Sequence, residues 1–133
     1  MARVLGIDYG SERLGLALGE EEQRIALPFD VLENKEGLVG QLRRIIDSEE
    51  IYRIIVGLPL NLKGERAFKV EETERFIDLL KKNFNLPILT EDERLSSKMA
   101  DQLFKEYNQK YDRDAIAAMI ILQSYLDKIV RSS

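Results

Sequence analysis

The sequence predicts an α/β domain built on a five-stranded mixed sheet, three antiparallel strands plus two parallel ones, flanked by helices. Three observations carry this. Three short apolar runs follow one another near the start of the chain with turn residues between them, the pattern of an antiparallel meander. After them, stretches with helical periodicity alternate with two further short apolar runs, the pattern of crossover-connected parallel strands. Finally, 133 residues that are 44% hydrophobic and 33% charged suffice for one substantial core, so residues 1–133 are expected to form a single domain.

The first strand is Val4-Leu5-Gly6-Ile7, which delivers Asp8 into the turn Tyr9-Gly10-Ser11, and Leu14 to Gly19 is its hairpin partner. Residues 24–32 form the third strand, and Pro28 within it belongs at a sheet edge, where a missing donor does little harm. Leu38, Leu42, Ile45 and Ile46 recur at helical spacing over about 35–49. Residues 51–58 are the next buried strand, stopped by Pro59, and 60–64 is a loop rich in turn residues. Val70, Phe76, Ile77, Leu80 and Phe84 mark a helix over 66–84, followed by a short strand at 87–90 that runs into Glu91-Asp92-Glu93-Arg94. Ser96 or Ser97 can cap a further helix carrying Met99, Leu103, Phe104 and Tyr107, and a last helix covers 113–130. In such sheets ligands gather beyond the carboxyl ends of the parallel strands, where Asp8, the 59–64 loop and the 91–94 cluster all fall.

Composition narrows the chemistry. The chain has no cysteine and no histidine, which excludes disulfides, thiolate sites, histidine bases and His-ligated zinc. Hydrolytic chemistry would have to use carboxylates, lysines, hydroxyls or a metal held by oxygen, and carboxylate oxygens favour magnesium or manganese. No apolar run has the length of a membrane span, and charges interrupt any signal-peptide pattern. The net charge of −4 argues mildly against a nucleic-acid partner, yet Lys63, Arg66 and Lys69, and then Arg94, Lys98, Lys105, Lys110 and Arg113, leave room for a locally basic rim.

Two acids stand out. Asp8 ends a buried strand between glycines, a costly place for a carboxylate unless a cation or donors compensate it, although Asp-x-Gly also suits an ordinary hairpin turn. Asp114 heads an almost wholly apolar helical segment and shares a face with Ala117, Ala118 and Ile121. An acid there also complements a helix dipole, but the alanines let the helix approach the sheet closely. Asp8, one acid of the 91–93 cluster and Asp114 can then converge, and converged carboxylates call for a divalent cation. Three acids from separate elements are a known way to hold two metals about 4 Å apart for phosphoryl transfer.

Gly6-Ile7-Asp8-Tyr9-Gly10 with Arg13 and Gly15, Val56-Gly57-Leu58-Pro59-Leu60-Asn61 with Gly64, Asp92-Glu93-Arg94-Leu95-Ser96-Ser97, and Asp114-x-x-Ala117-Ala118 with Ile121-Leu122-Gln123-Ser124-Tyr125-Leu126 together resemble the YqgF (RuvX) family. The four blocks occur in the family's order and span nearly the whole chain. The resemblance implies an RNase H-like three-layer fold of the resolvase type and a cytoplasmic nuclease processing the 5′ end of pre-16S rRNA in ribosome biogenesis, with Holliday junction resolution as the older assignment. It matches Asp8 to the family's first acid and Asp114 to its last. Between them the match is the Asp-Glu-Arg block, where Glu93 is favoured over Asp92 because neighbours on a strand face opposite ways. These three are the expected catalytic and metal-holding residues, with Mg2+ or Mn2+ as cofactor. Arg13, Lys110 and Arg113 are expected to hold phosphates, and Asn61 and Gly64 to shape the entrance. The basic stretch usual before the last acid is thinned here to Lys110-Tyr111-Asp112-Arg113, and Asp112 is either an auxiliary ligand or a solvated loop acid.

The expected partner is nucleic acid, pre-rRNA or branched DNA, bound by a monomer or homodimer without a membrane. Two other functions fit parts of the sequence. A nucleotide-binding domain of the sugar-kinase and actin type shares the strand-Asp-turn-strand opening but needs two lobes. A non-catalytic RNA-binding assembly module would hold RNA equally well with or without magnesium.

Overall fold

In β1 (Arg3–Tyr9) and β2 (Arg13–Glu20), apolar residues alternate across both faces of an antiparallel hairpin in which Asp8 pairs with Gly15. β3 (Ile25–Glu33) pairs antiparallel with β2. Helix α1 (Leu38–Ser48) leads to β4 (Ile51–Leu58), parallel to β1, and α2 (Glu65–Asn83) leads to β5 (Ile88–Asp92), parallel to β4. The strand order is β3-β2-β1-β4-β5, and α3 (Arg113–Ser132) packs across the sheet. This is the expected mixed sheet. The computed structural model describes residues 2–58, 65–92, 102, 105–107 and 110–132. The loop expected at 59–64 and most of the helix expected after Ser96 lie outside the described residues; residues 102 and 105–107 of that helix are helical.

One bulge and two boundaries depart from expectation for identifiable reasons. β3 is the edge strand, as Pro28 requires, but its ladder slips by one: Leu16 faces Asp30 while Ala17 faces Pro28, so Phe29 is bulged out. α1 starts at Leu38 instead of 35, because Gly37 takes a φ of 91° and the Leu38 N–H closes a turn onto the Lys35 carbonyl at 3.1 Å. β5 runs on to Asp92, bringing Glu91 opposite Gly57 and Asp92 opposite Leu58.

The sheet has two covered faces. On one, Leu5, Ile7, Leu14, Leu16, Ile54 and Val56 pack against Leu38, Leu42 and Ile46 of α1 and Phe76, Ile77 and Leu80 of α2. On the other, Val4, Ala17, Ala26 and Ile55 pack against Ile116, Ala118, Met119, Leu122 and Leu126 of α3. Gln123 clips α3 to the start of β3, accepting from the Ala26 N–H at 2.9 Å and donating to the Arg24 carbonyl at 2.9 Å. At the amino ends of β1 and β4, Arg53 donates to Glu21 at 2.9 Å and to the Tyr125 hydroxyl at 2.6 Å, and Tyr52 also donates to Glu21. That charged network is at the end of the sheet remote from Asp8.

Candidate active site

Asp8 is the next-to-last residue of β1. Val4 belongs to the α3-side core and Leu5 and Ile7 to the other, so the alternation turns Asp8, like Gly6, toward α3. Tyr9 points the opposite way and stacks on Phe76 of α2 with ring centroids 4.6 Å apart. The turn that follows is tight. A Cβ on Gly10 would stand 2.6 Å from the Arg13 carbonyl oxygen, so only glycine fits. Asn34, at the end of β3, fastens this turn by donating its side-chain amide to the Gly10 carbonyl at 2.9 Å and its main-chain N–H to Glu12 at 2.8 Å. Sequence reasoning did not single out Asn34; its partners lie more than twenty residues away, so only its turn-forming residue type was visible.

Asp114 comes to the same place from the other side. A Cβ on Gly15, the strand partner of Asp8, would lie 1.8 Å from the Asp114 carbonyl oxygen. Paired residues on antiparallel strands share a face, with Cβ positions about 4.5–5.5 Å apart. The first turn of α3 therefore rests directly on the sheet beside Asp8. The alanines of α3 are only half the reason. A Cβ on Gly6 would clash with Leu122 Cβ at 2.8 Å and one on Gly19 would crowd Leu126 at 3.1 Å, so β1 and β2 offer α3 a track of glycines with Ala17 between two of them. That signal stood in the sequence as Gly15-x-Ala17-x-Gly19, small residues at strand period on one face.

Asp112 has a structural role. Its carboxylate accepts the Asp114 N–H at 2.9 Å and its carbonyl accepts the Ile116 N–H at 3.1 Å, which makes it the N-cap of α3. Asp114 then sits in the first turn, where the helix dipole favours negative charge. Arg13 reaches the same acid from β2, with Nε 3.1 Å from Asp114 Oδ2. That oxygen is buried and accepts no aligned hydrogen bond among the described residues, so the contact is one of charge.

On β5 the acids divide by face. Glu91 is buried on the α3 side, accepting from Ser124 Oγ at 3.0 Å and paired with Lys128 Nζ at 2.5 Å. Asp92 follows on the opposite face by strand alternation. Glu93 and Asn61 lie outside the described residues. Lys110 is exposed in the turn before α3, its N–H bonded to the Tyr107 carbonyl at 3.1 Å, and Arg113 is exposed at the first position of α3. Among the described residues no three acids form a ready metal cage. The structure thus brings together Asp8, Asp114 and Arg13, with Lys110 and Arg113 on the adjoining rim.

A family model described as RuvX, Holliday junction resolvase, matches residues 2–128. Relatives provisionally named pre-16S rRNA nuclease include one from Rickettsia peacockii, 38% identical over 96% of this chain and 88% of its own length. Another, from Chloroflexus aggregans, is 36% identical over 93% of this chain and 92% of its own. Among solved structures, T. thermophilus RuvC in complex with Holliday junction substrate superposes with a TM-score of 0.65 at 14% identity, covering 96% of each chain. Fowlpox virus resolvase with Holliday junction DNA gives a TM-score of 0.61 at 10% identity, covering 96% of this chain and 99% of that one. At these identities the likeness is one of fold, and the fold is the RNase H-like one of the RuvC type.

Proposed function

The chain belongs to the RuvX family, and on that premise we propose that it is a metal-dependent nuclease that hydrolyses phosphodiester bonds, with the 5′ end of pre-16S rRNA as its substrate. The observation that carries this is the meeting of Asp8 with the first turn of α3 across Gly15, on one face and at the carboxyl end of the parallel strands. From the pairing distance, Asp8 Cβ lies roughly 7 Å or less from the Asp114 main chain, within which two carboxylates can share one ion. Glu93 is assigned as the third acid. The Asp-Glu-Arg block supports this assignment, since Glu91 is engaged by Ser124 and Lys128 and Asp92 faces away from α3.

The donor set fits a hard cation, Mg2+ or Mn2+: it is all oxygen, and Asp114 Oδ2 is buried without an aligned hydrogen bond among the described residues. When bound, such an ion supplies a water of lowered pKa and offsets charge on the leaving oxygen. The chain's own residues do the rest. Asp8 and Asp114 orient from a rigid strand and a capped helix, Arg13, Lys110 and Arg113 hold the phosphates on either side of the cut, and Asn61 shapes the entrance. One chain carries all three acids, so a monomer can make a single cut, and a precursor-rRNA substrate places the work in the cytoplasm. The family description favours a second reading, in which a homodimer makes symmetric cuts in a four-way DNA junction with the same acids.

The test is single-turnover cleavage of a labelled 5′ pre-16S fragment and a synthetic four-way junction, side by side, with Mg2+, Mn2+ or chelator. Metal-dependent cutting of the RNA, lost in Asp8→Asn and Asp114→Asn, is the expected result. Cutting of the junction alone selects the second reading. RNA binding indifferent to metal, with neither substrate cut, would make the protein a binding module.

A further inference from the structure

The oxygen best placed to coordinate a cation is the one that Arg13 faces. Arg13 stands two residues before Gly15 on β2, hence on the α3 side of the sheet, and its Nε lies 3.1 Å from Asp114 Oδ2. The arginine side chain is 57% exposed and the aspartate 32%, so one partner is anchored at the helix start and the other is free to swing. Its strand partner Glu33 is engaged by Lys35, with Nζ at 2.7 Å, while Arg13 itself pairs with Asp114. The contact lacks an aligned hydrogen bond, so charge holds it and a competing charge can displace it.

We propose that Arg13 is an exchangeable counter-ion: a divalent cation displaces it from Asp114, and the released guanidinium then grips a phosphate of the nucleic acid. Two like charges close to one carboxylate repel, and the more compact, doubly charged ion takes the buried oxygen. A guanidinium on an exposed, flexible stem can then turn its planar fork outward, and that fork matches a phosphate's paired oxygens. Metal and nucleic acid become coupled ligands, each raising the affinity of the other by the same factor. This inference rests on the metal-dependent reading of the site, and its test separates the two.

Mn2+ is titrated calorimetrically into the full chain, as wild type, Arg13→Gln and Asp114→Asn. Binding of a labelled four-way junction and of a labelled pre-16S 5′ RNA is then measured in Ca2+ and in chelator. Arg13→Gln is expected to bind Mn2+ about fivefold more tightly than wild type, because the competitor is gone. Its gain in nucleic-acid affinity on adding Ca2+ is expected to be smaller than wild type's by a similar factor. Unchanged or weaker Mn2+ binding in Arg13→Gln, or an undiminished Ca2+ gain, overturns the proposal while leaving the site reading intact, provided Asp114→Asn loses Mn2+. No Mn2+ binding by wild type, or full binding by Asp114→Asn, overturns both.

Discussion

Gly15 has no room for a methyl group, because the atoms it would meet are the Asp114 carbonyl oxygen at 1.8 Å and carbonyl carbon at 2.2 Å. Main chain cannot rotate out of the way, so Gly15→Ala must lift the first turn of α3 from the sheet. A loss of about 1–3 kcal/mol or more is expected in urea unfolding, the range of an overpacked core. Cleavage under folding conditions should fall much further, since Asp114 moves relative to Asp8. Wild-type cleavage in a folded Gly15→Ala would show that the meeting of these two acids is incidental. Asp8→Asn is expected to behave in the opposite sense. Replacing one of two neighbouring acids removes repulsion, so the metal-free protein should be as stable as its parent or more so. A loss of several kcal/mol on melting would identify Asp8 as a structural acceptor instead. At this scale the approach of the Asp114 turn to the strand of Asp8 was legible from residue type and position, while Asn34 and the capping role of Asp112 were not, since each depends on which backbone group happens to be near.

β5 and α3 show what periodicity reveals and what it hides. The run Ala115 to Leu122 announced a buried helix, and Ile51 to Leu58 a buried strand, because apolar spacing reports burial directly. The charged cluster that opens at Glu91 predicts an end to β5 at Thr90, because a glutamate rarely continues a buried ladder. It does so here because Ser124 and Lys128, more than thirty residues later, satisfy its carboxylate. No local pattern encodes such a pairing. The late start of α1 is a backbone adjustment at Gly37 that the apolar spacing does not report, whereas the Phe29 bulge reverses the alternation of β3, so that Ala26 packs on the α3 side and Leu32 on the other. The clamp can be tested at its exposed end. Lys128→Ala leaves Glu91 buried with only Ser124, and a loss of about 1–3 kcal/mol is expected, with Lys128→Arg close to wild type. Equal stability of Lys128→Ala in denaturant melts would mean that water already satisfies Glu91.

Across the whole molecule, a net charge of −4 must be reconciled with a polyanionic substrate, and position reconciles them. The Arg3, Glu20, Glu21, Glu49 and Arg53 network lies at the amino ends of the parallel strands, whereas Arg13, Lys110 and Arg113 sit at the end that carries Asp8 and Asp114. A divalent ion among the acids would add further positive charge at that end, and acidic surface elsewhere would discourage binding in unproductive orientations. Acids and rim cations should therefore fail in different ways. On the proposed reading the acids share an ion and act as one unit, so Asp8→Asn, Glu93→Gln and Asp114→Asn should each abolish most cleavage. Their double mutants should be little worse than the singles, because the unit is already broken. On the same reading Lys110→Ala removes one phosphate contact outside that unit. It is expected to weaken binding at every sequence and to reduce the slope of log affinity against log salt by about one, with the maximal single-turnover rate largely kept. The measurement is pre-16S cleavage and binding across a salt series. Additive losses among the acids would mean that they do not share an ion, and a fall in maximal rate in Lys110→Ala would move that lysine from the rim into the reaction centre.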